Sequence, residues 1–331
     1  MTTDSGETAA AAAPEPSSDV TISVVVCAYT DARRELLDNS IEAILAQLRP
    51  DDQLVVAIDF NEELLERVST QYGDRATVVP NSNARGICGA RNSGIAASTC
   101  DVVAFVDDDA QVQPGWLERL RADYRDPTIA GVGGNAQPVW PTERPAWFPV
   151  EFDWVVGCSH KGLPESPTPV RNLLGCNMSF RRESLDTVGG FNSEIGQVGS
   201  NLVRCDETEL CIRLNQKSPA TVLLLDPEVK VRHWVTEDRT RPKYFLRRCY
   251  WEGLSKQVLS TMVGQSDALS TERKYVYAVL PMAFVRGLIA SITTPGKRLA
   301  YLGQSAALVV GLAATTFGYG LSLVKSRLRR R

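Results

Sequence analysis

"DVVAFVDDDA", Asp101–Ala110, carries an uninterrupted apolar run straight into three consecutive aspartates, Asp107, Asp108 and Asp109. A valine-rich run bounded by polar residues reads as a buried strand. Like charges this close repel one another and cost stability unless something positive lies between them. No basic residue accompanies them in this stretch of chain. A divalent cation reconciles them most economically, because Mg²⁺ or Mn²⁺ takes carboxylate oxygens together with phosphate oxygens and water. A solvated acidic turn is the rival reading. The strand in front argues against it by fixing the carboxylates at one point of a crevice.

Working outward, "TISVVVCAYT" from Thr21 is a second buried strand, and "RRELLDNSIEAILAQL" an amphipathic helix with apolar positions three and four apart. "DQLVVAIDF" and "ATVVPN" are strands, "EELLERVSTQYG" a helix, and "GICGARNSGIAAS" a glycine-rich turn into another helix. This alternation predicts an α/β fold, a mostly parallel sheet flanked by helices on both faces. Ligands of such sheets bind at the carboxyl ends of the strands. Ala28, Tyr29, Thr30, Asp59 and the aspartates all fall at such ends and are expected to share one crevice. From Gly131 to Pro169 the pattern loosens into Pro, Trp and Gly, which predicts long loops around an acceptor site. Order returns with "NLLGCNMSFRRESLDTVGGF" as strand and short helix, "CDETELCIRLNQ" as helix, and "ATVLLLDPEVKVRHWV" as further strand.

The 331 residues, 44% of them apolar, suffice for a sizeable core, and a net charge of −3 gives no ground for a nucleic-acid partner. Eight scattered cysteines form no CxxC pair and suit reduced thiols in a cytosolic domain. Met1–Asp19, mostly Ala, Pro, Ser, Thr and acids, reads as a disordered tail and lacks the order of a signal peptide. "CAYTDARRE" has no glycine fingerprint, which excludes a Rossmann-type dehydrogenase.

In this order, "VVVCAYT", "VVAIDFN", "NARGICGARNSGI", "AFVDDDA", "GCNMSFRRE", "GGFN" and "CDETELCIR" resemble glycosyltransferase family 2 over Thr21–Trp234. The resemblance implies a GT-A fold and inverting transfer of a sugar from a nucleotide-diphosphate donor, a UDP-sugar being expected. Asp107–Asp109 then matches the family's DxD motif. Asp109 is the expected direct metal ligand, and Asp107 reaches ribose or the water shell of the ion. Asp107 and Asp108 also count among the donor-binding residues. Ala28, Tyr29 and Thr30 fall where the family seats base and ribose, with Tyr29 packing on the base. Asp59 matches the acceptor of a uracil or ribose hydrogen bond, although Phe60 replaces the usual second Asp or Asn. Arg91 is implied to contact the nucleotide.

Inverting transfer needs a general base for the acceptor hydroxyl. The family carries a Glu-Asp pair at this point, and here the order is reversed. Glu207 is the base by position, and Asp206 remains the alternative. Acids favoured by the helix dipole are the structural rival. His233 is placed as a third metal ligand, against a structural histidine. Asn177, Arg247, Arg248 and Lys256 are candidates for acceptor or phosphate binding, against a solvated basic face.

Leu299–Val324 carries no charge and is long enough to cross a hydrocarbon core. "YVYAVLPMAFVRGLIASITT", Tyr275–Thr294, is a second apolar stretch, interrupted by Pro281 and Arg286. Nucleotide sugars are cytoplasmic, so the catalytic domain is expected on the cytoplasmic side of the cell membrane. A single crossing would then place the basic tail outside, against the positive-inside rule. The expectation is a helical hairpin, spanning or re-entrant, with the first helix able to lie at the interface. The chain then divides into a tail (1–19), a catalytic domain (20–240), a basic juxtamembrane region (241–274), the hairpin (275–324) and a basic cytoplasmic tail (325–331). "RRCYWEGLSK" is similar to the branch of the family acting on glycosylated dolichyl phosphates, which implies a lipid-linked or glycan acceptor. A polyprenyl-phosphate sugar synthase and a non-catalytic scaffold are the alternatives, and the intact acidic motifs argue against the scaffold.

Overall fold

The computed structural model describes residues 20–195 and 204–329. The expected tail Met1–Asp19, together with Arg330 and Arg331 of the expected basic tail, lies outside the described residues. Among the described residues nine strands form one sheet: β1 (Ile22–Ala28), β2 (Gln53–Ile58), β3 (Thr77–Pro80), β4 (Val102–Asp107), β5 (Ala110–Val112), β6 (Ile129–Val139), β7 (Thr168–Pro169), β8 (Asn177–Arg181) and β9 (Val222–Trp234). Their order is β3-β2-β1-β4-β8-β6-β9-β5, with β7 paired to β9. The half from β3 to β4 is parallel, as is β6 with β9, and β8 runs against both of its neighbours.

The helices are α1 (Arg34–Leu45), α2 (Glu62–Tyr72), α3 (Ile87–Ala97), α4 (Trp116–Asp123), α5 (Arg182–Val188), α6 (Asp206–Lys217) and α7 (Pro242–Val263), followed by two long apolar helices. Val24, Val26 and Val56 bury one face of the sheet against Leu37, Ile41 and Leu64, and Val25, Val55 and Phe105 bury the other against Leu210 and Leu214. Burial on both faces explains why these strands read as continuous apolar runs instead of alternating ones.

Between Gly131 and Pro169 the expectation of loops fails for the first nine residues. They belong to β6, which lies inside the sheet between β8 and β9. The glycines that blur its pattern permit close packing. A β-carbon on Gly134 would collide with the Val229 carbonyl, and one on Gly131 with the Phe180 and Leu223 side chains.

The two apolar helices, Glu272–Thr293 and Pro295–Leu328, are long and apolar enough to cross a membrane. They pack on the rest of the protein through a third cluster, in which Leu280, Ala283, Ala307 and Leu308 meet Phe148, Phe152 and Phe245.

Candidate active site

Sheet register brings the acidic triplet and its partners together. Ala28, Ile58 and Asp107 end adjacent parallel strands, with Cys27 opposite both Ala57 and Asp107. The chain then turns through Asp108 and Asp109 into β5, which pairs antiparallel with β9 so that Ala110 faces His233. That pairing, reinforced by a hydrogen bond from the Trp234 N–H to the Asp109 carbonyl (2.9 Å), sets His233 Nε2 3.2 Å from Asp109 Oδ1. Asp107, Asp109 and His233 offer ligand atoms that all lie within 4.8 Å of one another. Two carboxylates and an imidazole are a donor set a divalent ion such as Mn²⁺ accepts. Asp108 Oδ2 is buried without a hydrogen-bond partner, so the cluster retains acceptor capacity.

The triplet is less isolated than the local sequence suggests. Thr30 caps the 3-10 turn Asp31–Arg33, its hydroxyl accepting from the Ala32 N–H, and the turn aims Arg33 at the cluster. Arg33 Nη1 lies 2.8 Å from Asp108 Oδ1 and 3.0 Å from Asp109 Oδ2, the second contact without hydrogen-bond alignment. Arg239 Nη2 stands 3.7 Å from the same Asp109 oxygen. The expectation that nothing basic accompanies the aspartates is therefore corrected. Arg33 reaches them across 75 positions of sequence, which no local pattern displays. Burial and the adjacent Asp109 raise the Asp108 carboxyl above its ordinary range. Burial opposes ionisation of Asp109 as well, yet His233 and Arg33 outweigh it and hold that carboxyl low. Burial also works against a charged His233, and the Asp109 carboxylate prevails, pushing the imidazole up to about 10.

Arg91 joins the two acidic motifs. It projects from α3 and is 4% exposed. Its Nη1 donates to Asp206 Oδ2 at 2.6 Å, and its Nη2 reaches Gly175 O at 3.0 Å and Asp107 Oδ1 at 3.4 Å. Asp206 is thus spent on an ion pair. Glu207, in the first turn of α6, has no hydrogen-bond or ion-pair partner from another residue among the described residues, and it lines the cavity. Burial, then the neighbouring Asp206, pushes its carboxyl up to about 7. A β-carbon on Gly175 would lie 3.2 Å from Arg91 Nη2 and 3.8 Å from Glu207 Cγ, so the absence of a side chain there leaves room for both.

These groups line one cavity of about 640 Å³. Ala28, Tyr29 and Asp59 form part of its wall. Tyr29 is 53% exposed, with its ring turned to the opening instead of into the core. Asp59 accepts from Asn81 Nδ2 at 2.7 Å and from the Gly86 N–H, which anchors the turn leading into α3. Arg85, Arg204, Arg239 and Arg248 add positive charge to the wall. Arg204 Nε is buried without a hydrogen-bond partner among the described residues, and Arg248 pairs with Glu252 at 2.8 Å beside the Trp154 ring.

Four expected residues stand elsewhere. Thr30 acts as the cap of the turn. Asn177 is fully buried, accepting from Trp116 Nε1 and donating to the Val229 carbonyl. Arg247 is exposed over Tyr244, and Lys256 is engaged with Glu252 and Glu272. Arg33, Arg204, Arg239, Trp154 and Gly175 were absent from the sequence expectation. Arg33, Arg204 and Arg239 carry no local signature that marks them as cavity residues.

The family model described as Glycosyl transferase family 2 matches residues 23–189. The chain is 35% identical over 310 residues to a glucosyl-dolichyl phosphate glucuronosyltransferase of Haloferax volcanii, covering 93% of this chain and 97% of that one. It is 26% identical to the succinoglycan biosynthesis protein ExoM of Rhizobium meliloti, over 72% of this chain and 74% of that one. Among solved structures, a mannosyltransferase from Pyrobaculum calidifontis in complex with GDP-Man and Mn²⁺ superposes with a TM-score of 0.54 at 18% identity, covering 93% of this chain and 89% of that one. The chain belongs to glycosyltransferase family 2 and has the GT-A-like fold.

Proposed function

We propose that this glycosyltransferase moves a sugar, with inversion, from a nucleotide-diphosphate donor to a hydroxyl of a lipid-linked saccharide at the cytoplasmic face of the cell membrane. The observation that carries the reading is the division of labour between two adjacent acids. Asp206 is held by Arg91, whereas Glu207 faces the cavity unpaired with its carboxyl raised to about 7. A carboxylate that titrates near neutrality suits a general base.

Asp107, Asp109 and His233 would hold Mn²⁺ or Mg²⁺, which when bound neutralises charge developing on the departing diphosphate. Arg33 offsets the charge of Asp108 and fixes the triplet's geometry. Tyr29 offers a ring face to the base, and Asp59 shapes the wall beside it. A UDP-sugar is the expected donor. Arg91 holds Asp206 in place and brings the acidic motifs to one side of the cavity. Glu207 takes the proton from the acceptor hydroxyl as that oxygen attacks the anomeric carbon. The arginines at 204, 239 and 248 suit a phosphate on the acceptor.

Those same arginines favour a second reading, a polyprenyl-phosphate sugar synthase in which a phosphate attacks and needs no base. The test is a screen of radiolabelled nucleotide sugars against a membrane lipid extract, reading label in the organic phase. Organic-phase label that disappears in Glu207→Gln supports the hydroxyl acceptor. Label that survives substitution of both Asp206 and Glu207, with a lipid phosphate as acceptor, supports the synthase.

A further inference from the structure

We infer that the two apolar helices lie in the plane of the membrane surface, on the catalytic domain's own side, instead of crossing it. This rests on the membrane attachment proposed above, and it concerns how the chain is seated.

The protein accompanies the second helix along most of its length. Trp147 packs where a β-carbon on Gly303 would project, and Gln304 Nε2 donates to the Ala146 carbonyl at 2.9 Å. Farther on, Gly311 meets the Phe152 and Phe245 rings, and α7 backbone approaches so closely that β-carbons on Gly253 or Gly318 would collide with it or its partner. At the far end Ser322 donates to Gln257 Oε1 at 2.7 Å, and Gln257 reaches Ser326. Gly303 to Ser326 spans roughly 35 Å of helix. That exceeds a hydrocarbon core of about 30 Å.

A crossing would therefore draw Ala146, Trp147, Phe152 and α7 with Glu252 and Lys256 to membrane depth. Irregular backbone at that depth must be buried in protein or line water. The first helix is tied in the same way. Tyr275 Oη donates to the Glu151 carbonyl at 2.5 Å, Trp154 Nε1 donates to Tyr275 Oη, and Arg286 forms an ion pair with the buried Glu151 carboxylate. A charge near the middle of this helix is costly in a crossing and ordinary at a surface.

The opposite faces carry an apolar stripe. Val285, Ile289 and Ile292 on the first helix, and Leu302, Val309 and Phe317 on the second, are between 38% and 78% exposed. Lys274, Lys297 and Arg298, all exposed, stand at the helix ends, where anionic headgroups would meet them. One face apolar, one face on protein and cations at the ends describe an interfacial anchor. Trp154 and Arg248 connect this platform to the cavity wall, so a lipid-borne acceptor phosphate arrives at the same side as the arginines.

The experiment uses the full chain in native membranes. Gly296, in the turn between the helices, has open space around it and accepts a cysteine. Glu63, exposed on α2, provides the reference. Seven of the native cysteines are buried, and burial pushes the partly exposed Cys27 up to about 12, so background labelling is low. Gly296→Cys and Glu63→Cys are each labelled with an impermeant maleimide in spheroplasts and in inverted vesicles. Labelling of both from the same face supports the in-plane seat. Labelling from opposite faces, or protection of Gly296→Cys from both, overturns it. Loss of the parent chain from the membrane fraction overturns the attachment instead, and with it the seat. Ile289→Glu with Phe317→Glu should lower the membrane-bound fraction about tenfold or more. An unchanged bound fraction with an altered oligomeric state would identify the stripe as an interface between copies and overturn the lipid contact.

Discussion

At the amino ends of β1 and β2, Asp52 accepts from the Ile22 and Arg49 N–H groups and pairs with Arg121, a guanidinium only 2% exposed. Asp101, one residue before β4, takes both the N–H and the hydroxyl of Thr21. At the carboxyl ends of the same strands the account of charge stays open. Glu207 has no partner from another residue among the described residues, Asp108 Oδ2 and Arg204 Nε are buried without hydrogen bonds, and Asp107 touches Arg91 only at 3.4 Å. One sheet therefore has an end at which the acids are engaged by donors and an end at which they are held ready. The first contributes stability, and the second sacrifices some of it to keep groups available for a ligand.

The sharpest break in this comparison comes from Glu207→Gln. It should lower turnover on the order of 10²–10⁴-fold while thermal unfolding stays within a degree or two of the parent, because that carboxylate has no hydrogen-bond or ion-pair partner from another residue among the described residues. Kinetics beside calorimetry checks it. Arg121→Leu should do the reverse. It strands the buried Asp52 carboxylate, and unfolding free energy should fall by about 3–5 kcal/mol in urea titration while the remaining folded enzyme keeps its turnover number. Comparable losses of activity and stability in both variants would erase the distinction between the ends.

A smaller effect is expected at Gly175→Ala. The added methyl crowds Arg91, shifting it against Asp206 and Asp107, and should cost about tenfold in turnover, roughly 1.4 kcal/mol of barrier. Least in magnitude is the pH profile. A base whose carboxyl sits up at about 7 is protonated and inactive below that point, so turnover should rise with pH through about 7 and level off above it. A profile already flat from pH 5 upward would place the titrating group elsewhere.

Much of this was legible from the chain. "SVVVCA", "LVVAI" and "VVAFV" are apolar without alternation because both faces of the sheet are covered, and the acids at their ends mark the crevice. β6 was not legible, since its glycines serve close packing and remove the side chains that would have revealed a strand. Nor were Arg33, Arg239 and Arg204. Each reaches the cavity from an element distant in sequence, through register and turn geometry with no local signature. Arg91 was readable as a site residue, yet its geometry is that of a tether between two acidic motifs. That arrangement exists only once α3, β4 and α6 have come together.

The central claim, that the acids at the carboxyl end hold an ion against a nucleotide diphosphate, is tested most directly by calorimetry of UDP binding to the full chain with and without Mn²⁺, in the parent and in Asp109→Asn. The account predicts binding that requires the metal and vanishes in the variant. Equal affinity in all four titrations would contradict it.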